Sequence, residues 1–235
     1  MQRIQAKSKK NTTYAKSAFK TTNKSKLAIE FSIITTCFHE SGHAMAALLN
    51  FGYVHSVACQ INKKKSTTYL GEMKYDGAAE LENTTDPILF HRLLMGDIAV
   101  YQAGLAAEKI FYKEICGMDQ LPACIKEGYQ IDFGYVSDII KEYNLAPPGK
   151  KRYAFKKKSF RQVQKLLYNN WDDVKLIAHT LFQKKKLFHD DLKLILTNKS
   201  LNKKFWKEQF KSIEILSSQS DSDFPESHIK KLFKI

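Results

Sequence analysis

The segment Thr35–Leu49, TTCFHESGHAMAALL, constrains this chain more than any other stretch. It sets His39 and His43 four residues apart, with Glu40 directly after the first. From about Phe31 to Leu49 the apolar residues Ile34, Phe38, Met45, Leu48 and Leu49 recur at helical spacing, and Asn50, Phe51 and Gly52 end the run. On a helix, positions i and i+4 share a face, so the two imidazoles can be directed at one point.

That spacing suits a zinc ion. Zinc accepts imidazole nitrogen at roughly 2.0–2.1 Å and wants further ligands in a tetrahedron. Glu40 then lies beside the metal without binding it, placed to take a proton from a water that the metal has acidified. The same pentapeptide fits an amphipathic helix with two partly exposed histidines and a surface glutamate. The longer pattern H-E-x-x-H-x-x-G-x-x-H fails, because Ala46 and Leu49 stand at its later positions. A third protein ligand has to come from elsewhere in the chain.

Beyond the first helix the pattern changes. VHSVACQI and TTYLGEMKY are β-prone runs around the polar NKKKS and predict a hairpin or a pair of adjacent strands. Asp86 and Pro87 read as the N-cap and first residue of a second helix, which carries Gly96 and Gly104 as sites of close helix packing. A loop through GMDQLPAC and KEGYQ leads to a helix near Asp132–Tyr143, where Asp132 by itself reads as an N-cap. KKRYAFKKK reads as a basic connector after Pro147, Pro148 and Gly149. Three segments of helical period come next: SFRQVQKLLYNNW, WDDVKLIAHTLFQKKKL with Asn170 as its N-cap, and HDDLKLIL. KKFWKEQFKSIEIL adds a further candidate helix in the polar stretch after Thr197. The expected fold is mainly α (α+β), with a small hairpin or sheet and a C-terminal helical bundle. A disordered basic tail is expected over residues 1–26 and an ordered domain over 27–197, its active-site half about 27–145 and its C-terminal helices about 155–197. A polar extension is expected over 198–235.

The formal charge of +14 suggests a polyanion-binding protein until it is located. Residues 1–30 hold eight Lys/Arg and one acid, and residues 198–235 hold eight Lys and five acids, which leaves the middle nearly balanced. No nucleic-acid motif is present, so no nucleic-acid partner is expected. Four cysteines, Cys37, Cys59, Cys116 and Cys124, show no C-x-x-C pair, so a reduced compartment is the default and Cys37 reads as core. No run approaches the eighteen or so apolar residues of a membrane span, and none reads as a signal peptide. The expectation is a soluble cytoplasmic protein, with organellar import left open by the acid-poor N-terminus.

FHESGHAMAALL resembles the H-E-A-G-H-A segment of the FtsH-type zinc metalloproteases. Further segments come in the family's order: TTYLGEMKY, QAGLAAEKIFYKE, GYQID and NNWDDVKLIAHTLFQKKKLFHDDLKLIL, together covering about residues 30–197. The resemblance implies a zincin-like metalloprotease domain in which His39, His43 and Asp132 bind Zn2+ and Glu40 is the general base. Glu108 stays open as an alternative ligand or as a group orienting a ligand histidine. The strand at Tyr69–Tyr75 could take up an extended peptide by strand addition, with Gly71 allowing close approach. The family's ATPase module is missing here, since no G-x-x-x-x-G-K-[ST] occurs. The resemblance without that module implies an ATP-independent endopeptidase acting on peptides or unfolded polypeptides, self-associating if it keeps the family's ring-forming habit. The alternative is a zinc-stabilised interaction module that does not cleave and pairs with itself or with a full-length protease.

Overall fold

In a computed structural model the chain is described over residues 24–61, 69–77, 86–118 and 130–197. The basic tail up to residue 23, most of the loop before the third helix, and the extension beyond Thr197 with its candidate helix lie outside the described residues. The order is α1 (Lys24–Phe51), β1 (Ser56–Ile61), β2 (Tyr69–Lys74), α2 (Pro87–Glu114), α3 (Gln130–Glu142), α4 (Lys150–Asn169), α5 (Trp171–Lys184), β3 (Lys186–Phe188) and α6 (His189–Thr197). The expected class holds: the molecule is mainly helical, with a small antiparallel sheet of order β2-β1-β3.

Helix α1 is the centre of the molecule. Every residue from Glu40 to Ala47 is buried, so this stretch has no solvent face and is walled by α2, α5 and the sheet. Three of those residues, Glu40, Ser41 and His43, are polar. Buried polar groups require partners, and Ser41 finds one locally, its hydroxyl donating to the Cys37 carbonyl at 2.6 Å. The other two belong to the site. Against α1 lies α2, close enough that a β-carbon on Gly42 would stand 2.5 Å from the Ala103 carbonyl oxygen and 2.6 Å from Ala107 Cβ. Small residues on both helices let the backbones touch. Helix α2 starts as its sequence predicts: Asp86 accepts from the Ile88 amide at 2.8 Å, and Pro87 is the first helical residue.

The main core joins α1, α2, α4, α5 and the sheet through residues such as Phe38, Val57, Val100, Leu167, Ile177 and Leu187. A separate smaller cluster, Ile98, Val136, Ile140 and Ala146, holds α3 against α2.

Four local readings need correction. Helix α1 begins at Lys24, seven residues before its expected start. The basic connector is the first half of α4: Ser159, Val163 and Leu167 are buried and Phe155 and Phe160 half-buried, so an inner apolar face runs beneath the lysines. Lysine is itself a good helix former, so cations alone do not mark a loop. Asn170 stands before α5, but its side chain donates to the Leu166 carbonyl at 2.8 Å and does not cap. Finally, α5 stops at Lys185, whose φ of 64° turns the chain so that Lys186–Phe188 pairs with Ser56–Ala58 of β1.

Candidate metal centre

His39 and His43 lie one turn apart on α1, with Nε2 atoms 2.9 Å from each other. Asp132, in the first turn of α3, brings Oδ2 to 3.2 Å from His39 Nε2 and 3.5 Å from His43 Nε2. Tetrahedral ligands at zinc's usual bond lengths stand about 3.3 Å apart. A triangle with edges of 2.9, 3.2 and 3.5 Å therefore fits one small ion, and no other such group of His, Cys, Asp or Glu occurs among the described residues.

The far sides of both imidazoles are committed. His43 Nδ1 lies 2.6 Å from the Val100 carbonyl, an acceptor only, so that nitrogen carries the hydrogen. His39 Nδ1 lies 2.9 Å from Glu108 Oε1. Each partner fixes the tautomer that leaves an Nε2 lone pair facing the centre, the arrangement that ligand histidines require. Asp132 Oδ2 is buried there with no hydrogen-bond donor. In these tautomers three lone pairs meet at one point, and a cation there would relieve their mutual repulsion more fully than a proton on one ring. The residues present fit zinc.

The electrostatics agree. Burial opposes charge on His39, yet the nearby Asp132 and Glu108 carboxylates prevail and raise its pKa well above the usual histidine value. Asp132 is opposed by burial too, but the two histidines hold its carboxyl far below the usual range. Burial raises the Glu40 carboxyl, partly offset by His43 and His39. The site draws positive charge and keeps one carboxylate basic.

Two glycines make the room. A β-carbon on Gly104 would stand 2.5 Å from His43 Nε2 and closer still to His39 Nε2, while one on Gly71 would overlap the Glu40 carboxylate. Gly71 sits in β2 opposite Cys59 and brings the strand backbone onto Glu40. Away from β1, the other side of β2 is unpaired among the described residues.

All the residues anticipated for this site are therefore together: His39, His43 and Asp132 face one another, Glu108 stands on the Nδ1 side of His39, and Glu40 lies beneath Gly71. Three further features lie outside the residues that the sequence assigns to the site. The Val100 carbonyl is backbone and carries no signal. Gly104 reads there as a packing residue only. Asp97, Tyr101, Gly104 and Glu108 keep i, i+4, i+7, i+11 spacing, which marks one face of α2 and is the signal that points to it. Along that face the Tyr75 hydroxyl donates to Asp97 at 3.0 Å, and Tyr101 stacks on Tyr135 of α3 at 5.0 Å.

Cys37 is core, as expected, and its thiol contacts Cys59; that hydrogen bond and burial push its pKa upward. No described helix is long and apolar enough to cross a membrane. No protein-family model matches the chain, and a search of the curated proteins finds no match.

Proposed function

We propose that the chain is a zinc-dependent endopeptidase that hydrolyses unfolded or flexible polypeptides without ATP. The observation that carries this reading is the convergence of His39 Nε2, His43 Nε2 and Asp132 Oδ2, with Glu40 buried alongside. The resemblance of FHESGHAMAALL and the segments after it to the FtsH-type metalloproteases points the same way.

In this reading His39, His43 and Asp132 hold the ion, which supplies Lewis acidity toward a water and toward the scissile carbonyl. Glu108 and the Val100 carbonyl keep both imidazoles in their ligating tautomer. Glu40 accepts the proton of the attacking water on its carboxylate and returns it to the departing amine nitrogen. Its upward-shifted pKa suits both transfers. The open side of β2 offers backbone hydrogen bonds to an extended chain, which selects for unfolded substrate.

The test pairs metal analysis with peptide hydrolysis on three proteins. The parent should hold about one zinc per chain and cleave a quenched-fluorescent peptide library. Glu40→Gln should keep the zinc and lose at least about a hundredfold in turnover, the lower range for removing a general base. Asp132→Ala should lose both. Zinc-loaded parent with no cleavage of any peptide, and Glu40→Gln indistinguishable from it, would leave a zinc-stabilised interaction module.

A further inference from the structure

Residues 31–197 carry 22 Lys/Arg and 18 Asp/Glu. Their near balance hides a segregation, because α4 alone holds eight of those cations and no acid, leaving the rest of the body net acidic. The segregation is sharper on the surface. Lys150, Lys157, Lys158, Arg161 and Lys165 are all exposed, and at 100° per residue they fall within roughly a third of the helix circumference. They form a stripe about 22 Å long, open to solvent, with the small Ala154 lying among them. Among the described residues none of these five cations has an acidic partner within 4 Å; the ion pairs present involve Lys74, Lys175, Lys184 and histidines. Like charges packed this densely repel one another, and a polyanion relieves that repulsion.

The aromatic residues decide which polyanion. Tyr153 and Tyr168, 69% and 59% exposed, stand at opposite ends of the stripe. Apart from them the outward face has no apolar side chain larger than Ala154. A membrane-binding helix inserts an aliphatic face, and here the aliphatic face of α4 is turned into the core at Val163 and Leu167. An acidic polypeptide would use the cations and leave the rings idle. Splayed bases use both, phosphates on the lysines and rings stacked on the tyrosines, and only a single strand exposes its bases this way. We infer that the outer face of α4 is a binding surface for single-stranded nucleic acid. The inference is independent of the proposed peptidase activity and places a nucleic-acid contact on the folded body, where the charge count alone gave no reason to expect one.

The test uses the full chain and fluorescein-labelled oligothymidine, with anisotropy read at several salt concentrations. Four engaged cations predict a slope of log affinity against log salt of about −3. The combined variant Lys157→Glu, Lys158→Glu, Arg161→Glu, Lys165→Glu should bind at least about a hundredfold more weakly at low salt. Tyr153→Ala with Tyr168→Ala should cost at least about fivefold, and Lys7→Gln, Lys9→Gln, Lys10→Gln should change little. An unweakened quadruple variant, or loss of binding in the tail variant alone, would overturn the assignment. So would equal affinity for polyglutamate or for vesicles containing phosphatidylserine. Should the quadruple variant misfold, ultraviolet crosslinking of the unaltered protein decides: adducts at Tyr153 or Tyr168 support the surface, and adducts confined to residues before Lys24 refute it.

Discussion

A β-carbon at residue 104 would occupy the space between the imidazole Nε2 atoms, 2.5 Å from that of His43. Alanine there gains about 1 kcal/mol of helix propensity, which offsets part of the cost of pushing the two imidazoles aside, so the ligand geometry and not the helix is what Gly104→Ala disturbs first. The expected outcome is unchanged helicity by circular dichroism with zinc affinity lowered at least about tenfold, the scale on which disturbed ligand orientation is felt. Unaltered affinity would mean the histidines do not ligate in this geometry. Residues of the site differ in how legible they are. His39, Glu40 and His43 are local, and helical periodicity brings them together without any knowledge of the fold. Asp132 lies some ninety residues on, and its own context says only helix start; resemblance, not spacing, joins it to the histidines. Glu108 cannot be assigned from sequence because a ligand and an orienting group are the same residue type, and only the side of the ring it meets separates them.

Elements are legible where their signals are local. Asp86-Pro87 announces α2, and the paired β-prone runs announce β1 and β2. Helix α4 is half hidden because its lysines mask a buried face that appears only once α2 is packed against it. β3 has three residues and no periodicity; its pairing with β1 is a tertiary event. Helix α5 supplies a prediction of its own. His179 is buried, and burial lowers its pKa to about 4, against an ordinary value near 6.5. Between those values the unfolded chain binds the proton and the folded one does not. The stability linked to His179 is thus fully present above pH 6.5, falls as pH drops toward 4, and levels below that. Urea midpoints measured from about pH 7.5 to about pH 4 should decline less steeply in His179→Leu than in the parent. Parallel curves would show that this histidine does not drive the acid sensitivity.

At the scale of the whole molecule, the candidate metal centre would join parts that packing leaves separate. α1 and α2 share the main core and touch backbone to backbone at Gly42. α3 is held by the smaller cluster around Ile98, Val136 and Ile140, and by Lys156 of α4 donating to Ser137 at 2.5 Å. Toward α1 it presents Asp132, which faces His39 and His43. An ion at that point cross-links α3 to the central helix, and binding energy spent only on the assembled form stabilises it by mass action. Removing the ion leaves a carboxylate facing two lone pairs. A proton on His39 can replace only part of the lost charge, so α3 should loosen while α1 and α2 stay packed. Local opening of this kind is read by amide hydrogen exchange. With chelator, exchange should accelerate in residues 130–142 and change far less in residues 33–48 and 94–112. The melting temperature should fall modestly and recover on adding zinc. Uniform acceleration across all helices would mean the ion stabilises the whole core and not the α3 attachment. No change anywhere would mean that Asp132 does not bind the ion, and the third ligand would then have to be sought elsewhere in the chain.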